Sequence, residues 1–138
     1  MTPRFLMAAT YASLAIATAM PAAAEGKGET VTPHSQQSIP NIPGKSLVTA
    51  VVDYAPGGAS PAHTHPKSAF VFAYVLSGEI ESKVNEEPTR IYHAGESWSE
   101  VPGAVHSISR NASKTKPAKL LAVFVVDTDD KQLVTPVK

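Results

Sequence analysis

After Ser46 the chain alternates short apolar runs with turns marked by proline, glycine and asparagine, a rhythm that suits strands and leaves little room for long helices. The runs are Leu47 to Tyr54, Phe70 to Leu76, Glu79 to Val84, Arg90 to Tyr92, Val105 to Ser109 and Lys119 to Val126. Between them lie Pro56-Gly57-Gly58, Ser77-Gly78, Asn85-Glu86-Glu87-Pro88, Ala94-Gly95 and Pro102-Gly103, each placed where a strand has to reverse. This spacing predicts an all-β sandwich or barrel. Leu120 to Val126 is apolar at every position, which predicts burial on both faces. Its length and its valine and phenylalanine content favour a strand over a buried helix.

With 138 residues, 43% of them hydrophobic, the chain supports one core and not two. Arg4, the uncharged stretch from Phe5 to Met20 and the small residues Ala22-Ala23-Ala24 predict a secretory signal peptide over 1–24, cleaved after Ala24. As an uncleaved anchor the same stretch falls short of the roughly 20 apolar residues that a spanning helix needs. The segment 25–45 is polar, carries Pro33, Pro40 and Pro43, and shows neither helical nor strand periodicity; it reads as a mobile arm or an edge extension. The barrel is expected over 46–128 and a C-terminal tail over 129–138. Lys+Arg and Asp+Glu both number 12, so no basic stripe points to nucleic acid or acidic membranes. The chain has no cysteine, which excludes disulfide stapling and leaves the core, with any metal, to supply stability.

Candidate chemistry is concentrated in two segments. In Gly57 to His65, His63 and His65 stand two apart in a stretch expected to be extended, so both imidazoles share a face and can approach one ion at about 2.0–2.2 Å. The segment Gly95 to His106 brings His106 after a Pro-Gly turn. Trp98 lies between Glu96 and Glu100 at period two, which predicts a shared face for these three. His93 and His34 are expected at the surface.

Together the two segments resemble the paired motifs of the cupin superfamily, in particular its small quercetin-dioxygenase-like single-domain members. The first family motif, G-x5-H-x-H-x3-4-E-x6-G, finds Gly57, His63, His65 and Gly78; the second, G-x5-P-x-G-x2-H-x3-N, finds Gly95, Gly103 and His106, with Pro102 displaced by one and Asn111 one residue late. The resemblance spans Leu47 to Val126 and implies a single small antiparallel β-barrel, or jelly roll, with His63, His65 and His106 converging on one divalent metal ion. Fe(II) is the first expectation, with Zn(II), Cu(II), Ni(II) or Mn(II) as the other ions such a set holds.

One departure bears on the chemistry. The family's glutamate falls at Phe70 by distance from His65 and at Val71 by distance from Gly78, and both residues are apolar. A three-imidazole set would leave the ion its full charge and favour anions in the open positions. Glu96 or Glu100 could replace the carboxylate; sequence leaves their facing open. Phe70, Val71, Tyr74, Glu96, Trp98 and Glu100 are therefore the candidate pocket residues.

Two functional classes follow. One is a periplasmic or secreted metal-dependent enzyme of dioxygenase-like type, acting on a small anionic or chelating molecule. The other is a non-catalytic module that binds or senses such a molecule or the metal. Neither a Ser-His-Asp or Cys-His arrangement nor a glycine-rich phosphate loop can be assigned. Expected partners are a small-molecule ligand and a second copy in a homodimer, with no nucleic acid and no membrane after leader removal.

Overall fold

The computed structural model describes residues 26–138, and the expected signal peptide over 1–24 lies outside them. Ten strands follow in chain order: β1 (Glu29–Ser38), β2 (Lys45–Tyr54), β3 (His63–Thr64), β4 (Phe70–Ser77), β5 (Glu79–Val84), β6 (Arg90–His93), β7 (Ser97–Glu100), β8 (Val105–Asn111), β9 (Ala118–Asp127) and β10 (Thr135–Pro136). They form two five-stranded antiparallel sheets, one ordered β1-β2-β9-β4-β7 and the other β10-β3-β8-β5-β6. This is the all-β jelly roll expected. Among the described residues no helix is long and apolar enough to cross a membrane.

Strict alternation builds the interior. Val48, Ala50, Val52 and Tyr54 on β2, Val71, Ala73 and Val75 on β4, and Leu120, Ala122, Phe124 and Val126 on β9 all point between the sheets. The expectation that Leu120 to Val126 is buried on both faces is corrected: Leu121, Val123 and Val125 are only half-buried on the outer face. Their apolar character follows from crowding between β2 and β4 at the centre of the sheet, where flanking side chains cover them laterally.

Both ends of the described residues join the sheets. Of the two readings of the polar segment 25–45, the edge extension is the one observed over Glu29–Ser38, which pairs along β2 from Glu29 opposite Tyr54 to Ser38 opposite Ser46. Thr30, Val31 and Thr32 are good strand formers, and Pro33 is tolerated because β1 is an edge strand that shifts register between Pro33 and Ser35. At the other end β10 pairs with β3, Pro136 opposite His63 and Thr135 opposite Thr64.

Gly78 turns the tight β4–β5 corner at φ 73°, a left-handed conformation that side chains disfavour, and a Cβ there would lie 2.5 Å from Pro117 O. Gly57 has φ 71° but open space around it. Gly78→Ala is therefore expected to destabilise by at least about 2 kcal/mol and Gly57→Ala by only about 1 kcal/mol, a contrast that urea denaturation measures.

Candidate metal centre

The three motif histidines converge. His63 on β3 is the direct cross-strand partner of His106 on β8, and His65, just past β3, returns to the same face two residues on. One ligand nitrogen from each lies within 4.8 Å of the other two, and all three side chains are buried. Such a set can hold a metal ion. They sit in a cavity of about 450 Å³ between the sheets, walled by Val52, Val71, Ala73, Leu120, Ala122 and Phe124.

Each imidazole is held from behind. Nδ1–H of His63 donates to Pro61 O at 2.7 Å, and Nδ1–H of His65 donates to Leu133 O at 2.8 Å. Carbonyl oxygens only accept, so these bonds place a proton on each Nδ1 and turn each Nε2 inward. Nε2 of His106 lies 2.8 Å from the Ser82 hydroxyl, which leaves Nδ1 facing inward. Outward hydrogen bonds of this kind orient metal-binding histidines and set which nitrogen is free. Sequence reasoning missed Ser82 and Leu133: Ser82 lies in an ordinary polar-apolar alternation, and Leu133 lies in what reads as a tail. An apolar residue in that polar tail was the one available signal.

The first-motif position is apolar, yet a carboxylate is present. Glu100, 2% exposed, comes from β7 on the opposite sheet. Its Oε1 lies 3.1 Å from His106 Nδ1 and accepts a hydrogen bond from Trp98 Nε1–H at 3.1 Å. Its Oε2 lies 3.1 Å from His65 Nε2 but without hydrogen-bond geometry, and has no hydrogen-bond partner among the described residues. Of the two carboxylates whose facing the sequence left open, Glu100 is the one that lies beside the histidines.

The other candidates separate by strand facing. Val71, Trp98 and Glu100 line the cavity. Phe70 and Tyr74 do not, because they alternate with Val71 and Ala73 and lie on the outer face of β4, 43% and 37% exposed. Glu96 does not share the face of Trp98 and Glu100 either: it precedes β7, is exposed, and accepts from the backbone N–H of His93 at 2.7 Å. His93 and His34 are exposed as expected.

A second polar group stands elsewhere on the cavity wall. The Tyr54 hydroxyl bonds to Ser60 at 2.6 Å and Ser109 at 2.8 Å, and Ser60 donates to Glu29 of β1. Burial pushes the Tyr54 phenol up to about 12, so it stays protonated. Lys131, Gln132, Leu133 and Val134 of the C-terminal segment, with Val31 and Pro33 of β1, complete the lining.

Burial also governs the titrating groups of the centre. It pushes His63 down, against the bond to Pro61, and His106 down to about 4, against the pull of Glu100. Burial would raise Glu100, but the imidazoles of His65 and His106 beside it and the Trp98 N–H hold it at about 2. At neutral pH the carboxylate is therefore ionised and His63 and His106 are neutral, the forms in which these groups bind metals.

The fold and the site together define a jelly roll with a buried histidine–carboxylate pocket able to take a metal. Residues 50–124 match the cupin domain family, and the chain belongs to the cupin superfamily. It is similar to germin-like protein subfamily 2 member 2 of Arabidopsis thaliana, at 38% identity over 70% of this chain and 45% of that protein. It is also similar to nectarin-1 of Nicotiana plumbaginifolia, at 31% identity over 85% of this chain and 51% of that protein. The chain spans about half the length of these curated relatives. Among solved structures, an oxalate oxidase in complex with the substrate analogue glycolate superposes with a TM-score of 0.58 at 27% identity, covering 72% of this chain and 52% of that one. The protein TT1209 from Thermus thermophilus superposes with a TM-score of 0.58 at 26% identity, covering 71% of this chain and 83% of that one.

A histidine whose pKa is depressed on folding contributes stability that is complete above its unfolded pKa and is lost as pH falls toward the folded one. For His106 that window runs from about 6.5 down to about 4, and His63 acts in the same direction. Glu100, lowered from 4.5 to about 2, extends the loss to lower pH. Thermal unfolding in chelator should therefore show Tm falling from pH 7 to pH 4.5, with a shallower fall in His106→Asn.

Proposed function

We propose that this protein is an exported, metal-dependent cupin in which His63, His65 and His106 hold one divalent ion and a small anionic or chelating acid is oxidised with dioxygen. The observation that carries this reading is the orientation of the three imidazoles. Each has one nitrogen held by an outward hydrogen bond and the other turned into a largely apolar cavity, those of His65 and His106 toward Glu100. A bound divalent ion supplies a Lewis acid and, where redox-active, a route for electrons to dioxygen. Fe(II) and Mn(II) suit such nitrogen and oxygen donors.

The chain's own groups do the rest. Val52, Ala73, Leu120 and Ala122 exclude water around the histidines. Tyr54, held protonated, gives its one proton to Ser60, whose own proton goes to Glu29, and this chain fixes a polar stretch of the cavity wall. The substrate class is supported by the similar oxalate oxidase, whose bound substrate analogue is the small acid glycolate. Periplasmic or secreted localisation is part of the proposal and rests on the signal peptide expected from the sequence over 1–24.

A non-catalytic binding module is the second reading. It is favoured by one observation: Glu100 is the one ionised carboxylate placed against the histidines among the described residues, and Tyr54, with its pKa near 12, is a poor base. Protein loaded with Fe(II) or Mn(II) and assayed with an oxygen electrode against oxalate, glycolate, catechols, diketones and flavonols separates the two. The enzyme reading expects oxygen uptake with one acid and its loss by at least about 100-fold in His63→Ala. Saturable glycolate binding with no oxygen uptake on any compound would select the binding module instead.

Homodimerisation is also proposed, through the outward row Phe70, Phe72, Tyr74 and Leu76 on β4, each 37–43% exposed. Light scattering of Phe72→Glu is expected to show monomers where the parent chain shows dimers.

A further inference from the structure

We infer that Glu100 is itself a ligand of the ion, supplying from the second motif the carboxylate that the position of Val71 lacks in the first; this deepens the metal-binding reading and rests on it. Val71 on β4 and Glu100 on β7 are direct antiparallel partners, and both point between the sheets, each 2% exposed. Side chains paired in this way have Cβ atoms about 4.5–5.5 Å apart, so a carboxylate carried by either strand reaches much the same point. The group has moved one strand sideways within the same sheet and still faces His65 and His106, whose rings lie against His63.

The distances fit a shared ion better than hydrogen bonds. Both carboxylate oxygens lie 3.1 Å from an inward-turned imidazole nitrogen. Oε2 and His65 Nε2 nevertheless fail to point at one another, and Oε2 is left with no hydrogen-bond partner among the described residues. Two atoms that bind one ion at about 2.1 Å and about 90° stand roughly 3.0 Å apart, each aimed at the ion and not at its neighbour. A buried carboxylate with an unpartnered oxygen is costly, and a divalent cation among these donors removes that cost. Trp98 Nε1–H, bonded to Oε1, fixes the group from the side. The ion would therefore carry a partly cancelled charge, unlike one held by three imidazoles alone.

The test compares the full chain with Glu100→Gln, Glu100→Gln/Val71→Glu and His63→Ala, using Mn(II) titration for affinity and Co(II) absorption for the ligand set, with circular dichroism as the check on folding. Expected are one ion per parent chain, at least tenfold weaker Mn(II) binding and an altered Co(II) spectrum in Glu100→Gln, and recovery of most of that loss in the double variant. Unchanged affinity and spectrum in Glu100→Gln would overturn the assignment while leaving the three-histidine reading intact. Weaker binding with an unchanged Co(II) spectrum at saturation and no recovery on adding Val71→Glu would also overturn it, making Glu100 a positioning residue for the histidines. If Glu100→Gln does not fold, Glu100→Asp reads the same contact, and an unchanged spectrum there overturns it equally. A parent chain that takes up no ion would bring down the metal-binding reading itself, and this assignment with it.

Discussion

An ionised carboxylate moved from water into an apolar interior costs several kcal/mol unless charge or hydrogen bonds replace the water. Glu100 is in that position, and much of the site is arranged around it. Trp98 gives it one hydrogen bond from two residues away on the same strand. His65 and His106 stand against its two oxygens. Those two rings are held in turn by Leu133 and Ser82, from the C-terminal segment and from β5. Groups from β5, β7, β8 and the residues flanking β3 and β10 must all be in place before the carboxylate is accommodated, so the site is assembled by the completed fold and not by a local motif.

The histidines were legible in two different ways. His63 and His65 need only an extended backbone to share a face, whereas His106, the distant cross-strand partner of His63, was reached through the resemblance to the paired cupin motifs. The neighbouring candidates were not legible, because a strand reverses its facing at every residue. Counting from His65 led to Phe70 and counting from Gly78 led to Val71; the counts differ by one, and only Val71 points inward. Period two linked Trp98 and Glu100 correctly, but it was carried one step too far to Glu96, which lies in the turn before β7. Nothing in the order of residues told which face Glu100 takes, since that depends on pairing with β4.

The two ends of the described residues were the least legible for a related reason. An apolar pattern marks a strand that buries a face, and β1 buries almost none of its side chains. What holds β1 is backbone pairing along β2, with an added Ser35–Thr49 side-chain bond at 2.6 Å, and backbone pairing leaves no signature in the sequence. The last residues behave alike: Thr135 and Pro136 pair with β3, Val137 N–H donates to Ala62 O at 2.9 Å, and Leu133 packs against the apolar cluster that holds Phe124. Two stretches that look like polar extensions therefore contribute to the cavity lining.

This arrangement divides the site between the two sheets. The three imidazoles come from β8 and from β3 with the residue after it, whereas Glu100 comes from β7, on the facing sheet beside β4. Between the sheets the packing around the site is mostly dispersion and burial, which are non-directional and tolerate small slides. An ion bound by ligands from both sheets would add bonds with fixed lengths across that plane, whichever of two paired strands carries the carboxylate. The strand of origin can therefore change without loss of that cross-sheet tie, provided the replacement stays opposite the histidines and points inward. Val71 and Glu100 satisfy both conditions, being cross-strand partners buried on the same face, whereas Phe70, one residue away, satisfies neither.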